Sequence, residues 1–135
     1  MAGTSKKPKA TVRFYPQAAE ADTETFANPV QVPGISETIY VKNIPTIYEK
    51  DIRALKTFQA GDGSYGVMFL LSSHGRMTLE LETGANVGSL MVCIINGAPV
   101  AALYIDQPIT DGVIGIPKGL SFTEIEVLED AFGED

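Results

Sequence analysis

The sequence predicts an α+β domain: a two-layer sandwich, ferredoxin-like in general plan, with an antiparallel or mixed sheet carrying helices on one face. Three observations predict it. Short runs rich in Val, Ile, Tyr and Phe recur between turn residues, as strands do. Two stretches with helically spaced apolar residues interrupt those runs, so hairpins alternate with helices. With 135 residues, no internal repeat and no second core-sized block, the chain has the length of one core. The expected division is a flexible tail over 1–10 and a single domain over 11–135.

Thr11 to Tyr15 alternates polar and apolar residues, the pattern of a half-buried strand, and Pro16 ends it. Gln17 to Asn28 is polar, lacks an apolar period and reads as a mobile loop. Val30 and Val32, between Pro29 and Pro33, read as extended, and Glu37 to Lys42 reads as a strand with Ile39 and Val41 inward. Thr46 and Glu49 have the spacing of a capping box, which predicts a short helix through Leu55 with Ile52 and Leu55 on its core face. Lys56 to Gln59 and Tyr65 to Leu71 form the arms of a hairpin around Gly61-Asp62-Gly63. Ser73 is expected to cap a helix with Met77 and Leu81 on the core side, and Gly84 to stop it.

The strongest local signal is Leu90 to Ile105, where Asn96-Gly97 between two apolar runs predicts a type I′ hairpin. Val113 to Ile116 is a further short strand. Ser121 and Glu124 form a second capping box, opening a helix with Ile125, Leu128 and Phe132 on one face. The expected core is Val12, Phe14, Ile39, Val41, Ile52, Leu55, Met68, Leu81, Val92, Ile94, Leu103, Ile116, Ile125 and Leu128.

A formal charge of −7 opposes nucleic acid and anionic membrane surfaces, which recruit basic partners. Lys6, Lys7 and Lys9 are the one basic cluster and read as a solvated tail. The single cysteine, Cys93, sits in an apolar run, reads as a small buried hydrophobe and has no intramolecular disulfide partner. No run reaches the roughly 20 apolar residues of a membrane-spanning helix.

No residue pattern carries recognisable chemistry. His74 is the only histidine, and no histidine or cysteine pair stands at zinc-ligand spacing. Ser72, Ser73 and His74 are adjacent on a turn, where side chains diverge, so capping explains them better than a nucleophile and base. A small hydrolase using Ser73 and His74, or a small-ligand-binding domain, are the rival readings. Glu80 and Glu82 lie two apart on a helix and diverge, and Glu124, Glu126, Glu129 and Asp130 read as a solvated face. Asp62 lacks the alternating carboxylates of a calcium loop, and no Gly-Lys-Ser/Thr follows the glycines to hold phosphate. The expectation is no enzyme activity, no cofactor and no metal.

From Asn86 onward the residue order resembles a known family. Asn86-Val87-Gly88, an apolar strand, Asn96-Gly97, Pro108-Ile109-Thr110-Asp111-Gly112, a short strand, and Phe122-Thr123 leading into Glu124-Ile125-Glu126 are similar to the first periplasmic domain of the SecD subunit of the bacterial protein-export translocase. The upstream half resembles it more loosely. Where that family has Ser-Ala-Pro in the second arm of the hairpin, this chain has Ala101-Ala102-Leu103. The resemblance implies the fold, an extracytoplasmic setting with a signal or lipid anchor upstream, and contact with other protein segments, without the translocase's membrane helices or its proton coupling. The partner expected is a protein or peptide segment, or a second copy of the chain as a homodimer. The expected surface is the uncovered sheet face, where strand alternation sets Tyr15, Tyr40 and Tyr104 opposite the inward Phe14, Ile39 and Leu103.

Overall fold

The computed structural model describes residues 10–19 and 27–132. Its elements run β1 (Val12–Pro16), β2 (Ala27–Val30), β3 (Ile39–Lys42), a 3-10 turn (Glu49–Asp51), β4 (Ile52–Gln59), β5 (Tyr65–Leu71), α1 (Ser73–Ala85), β6 (Leu90–Ile95), β7 (Ala98–Tyr104), β8 (Val113–Leu120) and α2 (Phe122–Phe132). The fold class is α+β and every strand pairing is antiparallel. The strands form three sheets, in the orders β1-β6-β7, β2-β3 and β4-β5-β8. The basic cluster at Lys6, Lys7 and Lys9 lies outside the described residues, as do residues 20–26 of the expected loop.

Both three-stranded sheets turn one face to a common core. Val12 and Phe14 of β1, Met91, Cys93 and Ile95 of β6, Val67, Phe69 and Leu71 of β5, and Ile114 and Ile116 of β8 meet there, with Leu79 of α1 and Ile125 and Leu128 of α2. Phe14 and Phe69 touch edge to face with ring centroids 6.0 Å apart, so the two sheets close on one another through this core. A second, smaller core lies on the other face of the first sheet. Ile39 and Val41 of β3 and Val32 cover Val92 there, with Tyr15, Leu90, Ile94 and Ala102 at its margin.

Local chemistry places the turns. Asn96 and Gly97 both have positive φ, 51° and 84°, as the type I′ turn requires. Ser121 Oγ accepts from the Glu124 N–H at 3.1 Å while the Ser121 N–H donates to Glu124 Oε1 at 2.8 Å, the reciprocal box expected there. Ile125 and Leu128 are buried on the predicted face of α2.

Four expectations are corrected. The helix expected from Thr46 to Leu55 is absent. The Thr46 N–H donates to the Phe14 carbonyl along the edge of β1, the side-chain bond of a box is made instead between the Tyr48 N–H and Asp51 Oδ2 (3.1 Å), and Ile52 onward pairs with β5. Ala54, Leu55 and Lys56 favour helix locally, and the long pairing with β5 overrides them. The cap of α1 is Ser72, whose Oγ accepts from the Gly75 N–H at 3.2 Å, and the helix continues past Gly84 to Ala85. The core side of α1 is inverted: Gly75, Leu79 and Thr83 are buried, whereas Met77 and Leu81 are 64% and 71% exposed. Periodicity identified an apolar stripe, but Thr83 can be buried because its hydroxyl bonds the Leu79 carbonyl and the Ile109 N–H. Finally, Met68 stands on the outer face of β5, because Val67 and Phe69 take the inner one.

Candidate functional site

β7 and β8 run beside each other without a ladder between them. Each pairs on one side only, β7 with β6 and β8 with β5. Their hydrogen bonds show which groups are left over. Ile105 uses both its N–H and its carbonyl on the Gly88–Ser89 side, and the Gly112 carbonyl accepts from the Leu71 N–H. Backbone groups alternate along a strand, so Ala102 and Tyr104 on β7, and Val113 and Gly115 on β8, turn theirs toward the gap. Among the described residues none of these four has a backbone partner across it, but the Val113 N–H donates to Asp111 Oδ1 at 3.1 Å, so the N–H groups left over are those of Ala102, Tyr104 and Gly115.

The gap opens into a groove of about 620 Å³ bounded by the unbroken runs Val100–Tyr104 and Val113–Gly119. Unbroken runs, rather than alternate residues, mean that strand edges form its walls. Val32, Pro33 and Ile35 close it from the side of the small core, and Ile109 closes one end. Asp62 and Lys118 bring its only ionisable groups other than the Tyr104 hydroxyl. The Asp62 carboxyl is held below its ordinary pKa, first by hydrogen bonds from the Ser64 hydroxyl (2.6 Å) and N–H (3.0 Å) and then by Lys118. Both charges offset each other at one mouth. The remainder can contact apolar side chains and hydrogen-bond to a peptide backbone, which is what an added β-strand needs.

The three tyrosines occupy different positions. Tyr15 and Tyr104 stand on one face of the first sheet, but Tyr15 is half-buried beside β3 while Tyr104 is exposed at the groove. Tyr40 lies between the inward Ile39 and Val41 and so points away from that face. They do not form one surface. The sheet face that is open lies on β4-β5-β8, where Phe58, Met68 and Leu70 are exposed.

Ser73 and His74 lie outside the groove. His74 is exposed, with Nδ1 3.5 Å from Oδ1 of the buried Asp51, and among the described residues no hydrogen bond joins it to either serine. Ser72 is occupied as the helix cap. Cys93 is fully buried and burial pushes its thiol pKa up, away from nucleophilic use. Among the described residues no three His, Cys, Asp or Glu side chains group as metal ligands, and no helix is long and apolar enough to cross a membrane.

The groove was missed in the sequence, although a signal existed. Val100 to Tyr104 and Val113 to Ile116 carry no charge, whereas the edge strand β4 carries Arg53 and Lys56. Edge strands usually bear such guards, so two uncharged runs on unpaired edges mark a place where pairing is permitted.

Comparison with known proteins agrees on the fold. No family model matches the sequence, and no curated protein does. Solved structures of SecDF are similar. One, in a super-membrane-facing form, aligns with 92% of this chain at a TM-score of 0.64 and 18% identity. A second, of SecDF described as a membrane component that enhances protein export, aligns with 98% at 0.65 and 17% identity. A third, SecDF from Thermus thermophilus described as a translocon-associated membrane protein, aligns with 94% at 0.53 and 19% identity. This chain spans 19%, 72% and 20% of those chains respectively. The fold is therefore SecD-like, as the residues from Asn86 onward imply.

Proposed function

We propose that residues 11–135 form one non-enzymatic accessory domain that works outside the cytoplasm by holding an extended segment of another protein in the β7–β8 groove. One observation carries this reading: the uncharged runs Val100–Tyr104 and Val113–Ile116 face each other across an apolar groove with no strand ladder between them. A segment lying along either edge gains backbone hydrogen bonds from Ala102 and Tyr104, or from Gly115 and the Val113 carbonyl, and places alternate side chains against Val32, Ile35 and Ile109. The fold shared with SecDF, whose reported role is to enhance protein export, supports a partner that is a polypeptide in transit.

The test uses a fluorescent peptide of alternating Val and Ala with no internal charge, titrated by anisotropy. Ala102→Pro removes one outward N–H while leaving the ladder to β6 intact, because proline is tolerated where a strand edge faces outward. It is expected to weaken binding roughly threefold to tenfold, the worth of about one net hydrogen bond. Ile35→Asp sets a charge on the groove wall and should weaken it further. Unchanged affinity in both variants contradicts the site. The extracytoplasmic setting is tested separately, by joining the natural gene to a reporter active only outside the cytoplasm; an inactive fusion contradicts it.

A further inference from the structure

The outer face of the β4-β5-β8 sheet is apolar and carries positive charge. Strand alternation and register place Ala54, Lys56 and Phe58 of β4, Met68 and Leu70 of β5, and Val113 of β8 on it. Phe58, Met68 and Leu70 remain 37%, 40% and 46% exposed, although the inner face of the same sheet is buried. Glycines let the side chains lie flat. The Phe58 ring rests where a Cβ on Gly66 would stand, 2.6 Å from it, and Met68 rests over Gly115. The result is a level apolar patch on a fully paired central strand.

Register sets one charged side chain on this face, Lys56. The three strands contain Arg53, Lys56 and Lys118 and no Asp or Glu, in a chain whose net charge is −7. Lys118 has Asp62 nearby at the groove, but among the described residues Lys56 lies within 4.0 Å of no carboxylate, whereas Arg13 pairs with Glu49 and Lys42 reaches Glu82.

We propose that this face docks an amphipathic helix of another protein, with an apolar stripe flanked by Asp and Glu. The backbone beneath the patch is already paired on both sides of β5, so a partner must arrive with its own backbone satisfied, as a helix does. Acidic flanks answer Lys56, which a docked apolar surface would otherwise leave without a counter-charge. A second copy applied face to face would set Lys56 against a surface lacking any carboxylate, and the net negative charge repels an anionic bilayer. This surface adjoins the groove at Val113 and Gly115 of β8 but offers side chains where the groove offers strand edges, so it does not depend on what the groove holds.

The experiment titrates the whole chain against two labelled helical peptides of about 18 residues, roughly five turns. Both carry leucine at i, i+3, i+4 and i+7, one with glutamate on the flanks and one with lysine. The glutamate peptide is expected to bind at least tenfold more tightly, a difference of about 1.4 kcal/mol. Lys56→Glu and Leu70→Gln, both at exposed positions, should each weaken it about fivefold with unaltered circular dichroism, while Ala102→Pro leaves it unchanged. Equal binding of both peptides, binding of neither, or weakening by Ala102→Pro alone overturns the proposal. So does adsorption of the chain to vesicles of anionic phospholipid, or self-association that Lys56→Glu abolishes, since either gives the face another occupant.

Discussion

The two three-stranded sheets bury their inner faces against the same core but differ on the outside. The β1-β6-β7 sheet is covered by β3 and Val32, and the Thr46–Ile47 segment occupies the free side of β1. The β4-β5-β8 sheet keeps Phe58, Met68 and Leu70 in solvent. They also meet differently from how they are built: within each sheet every neighbour is paired, yet β7 and β8 leave a seam. Stability is concentrated where both faces are covered, and binding capacity where one face and two edges are not.

Substitutions break this comparison in graded steps. Phe14→Ala or Phe69→Ala removes a ring from the contact between the sheets and is expected to cost about 3–5 kcal/mol in chemical denaturation. An effect below 1 kcal/mol would mean the sheets do not share a core. Gly115→Ala places a Cβ 2.7 Å from the Val67 carbonyl and against Met68, which should cost about 1–3 kcal/mol through overpacking. Ser121→Ala removes one half of the reciprocal cap of α2 and should cost about 1 kcal/mol, visible as a lower thermal midpoint. Leu70→Gln on the open face should stay within about 0.5 kcal/mol, and a larger loss would show that this face supports the fold.

Acid provides another step. Burial raises the Glu49 pKa, but hydrogen bonds from Arg13 (3.2 and 3.3 Å) and the Val12 N–H outweigh it and hold the carboxyl below its ordinary 4.5. A depressed carboxyl stabilises the fold above its unfolded pKa and loses that contribution as pH falls through the folded value. Denaturation followed from pH 6 to pH 3, roughly the range on either side of an unperturbed glutamate, should therefore show a smaller decline for Glu49→Gln than for the unaltered chain. Identical slopes contradict the pairing.

Much of the fold was legible where the signal was local. Asn96-Gly97 dictated a turn through the φ values it permits, and Ser121 with Glu124 dictated a helix start through two reciprocal bonds. The failures share a cause. Ile52 to Leu55 follows a helix-start signal at Thr46 and is a strand because β5 lies beside it, continuous with the strand expected over Lys56 to Gln59. Met77 and Leu81 have core spacing, yet the side that packs is set by Gly75, where an added Cβ would stand 3.0 Å from Asp51 Cβ, and by Thr83. The groove was illegible for the same reason, since its walls are main-chain edges brought together by the tertiary fold. Alternation alone groups the three tyrosines; it fixes the side of each strand but not what covers that side.

The central claim, that the seam between β7 and β8 accepts a strand, is tested most directly by amide hydrogen exchange resolved by NMR, with and without the uncharged Val-Ala peptide. The account predicts slowed exchange at Ala102 and Tyr104, or at Gly115, with little change at Met68 and Leu70, whose face the peptide does not touch. Protection spread over the open face, or edge amides that exchange equally fast with and without peptide, would contradict it.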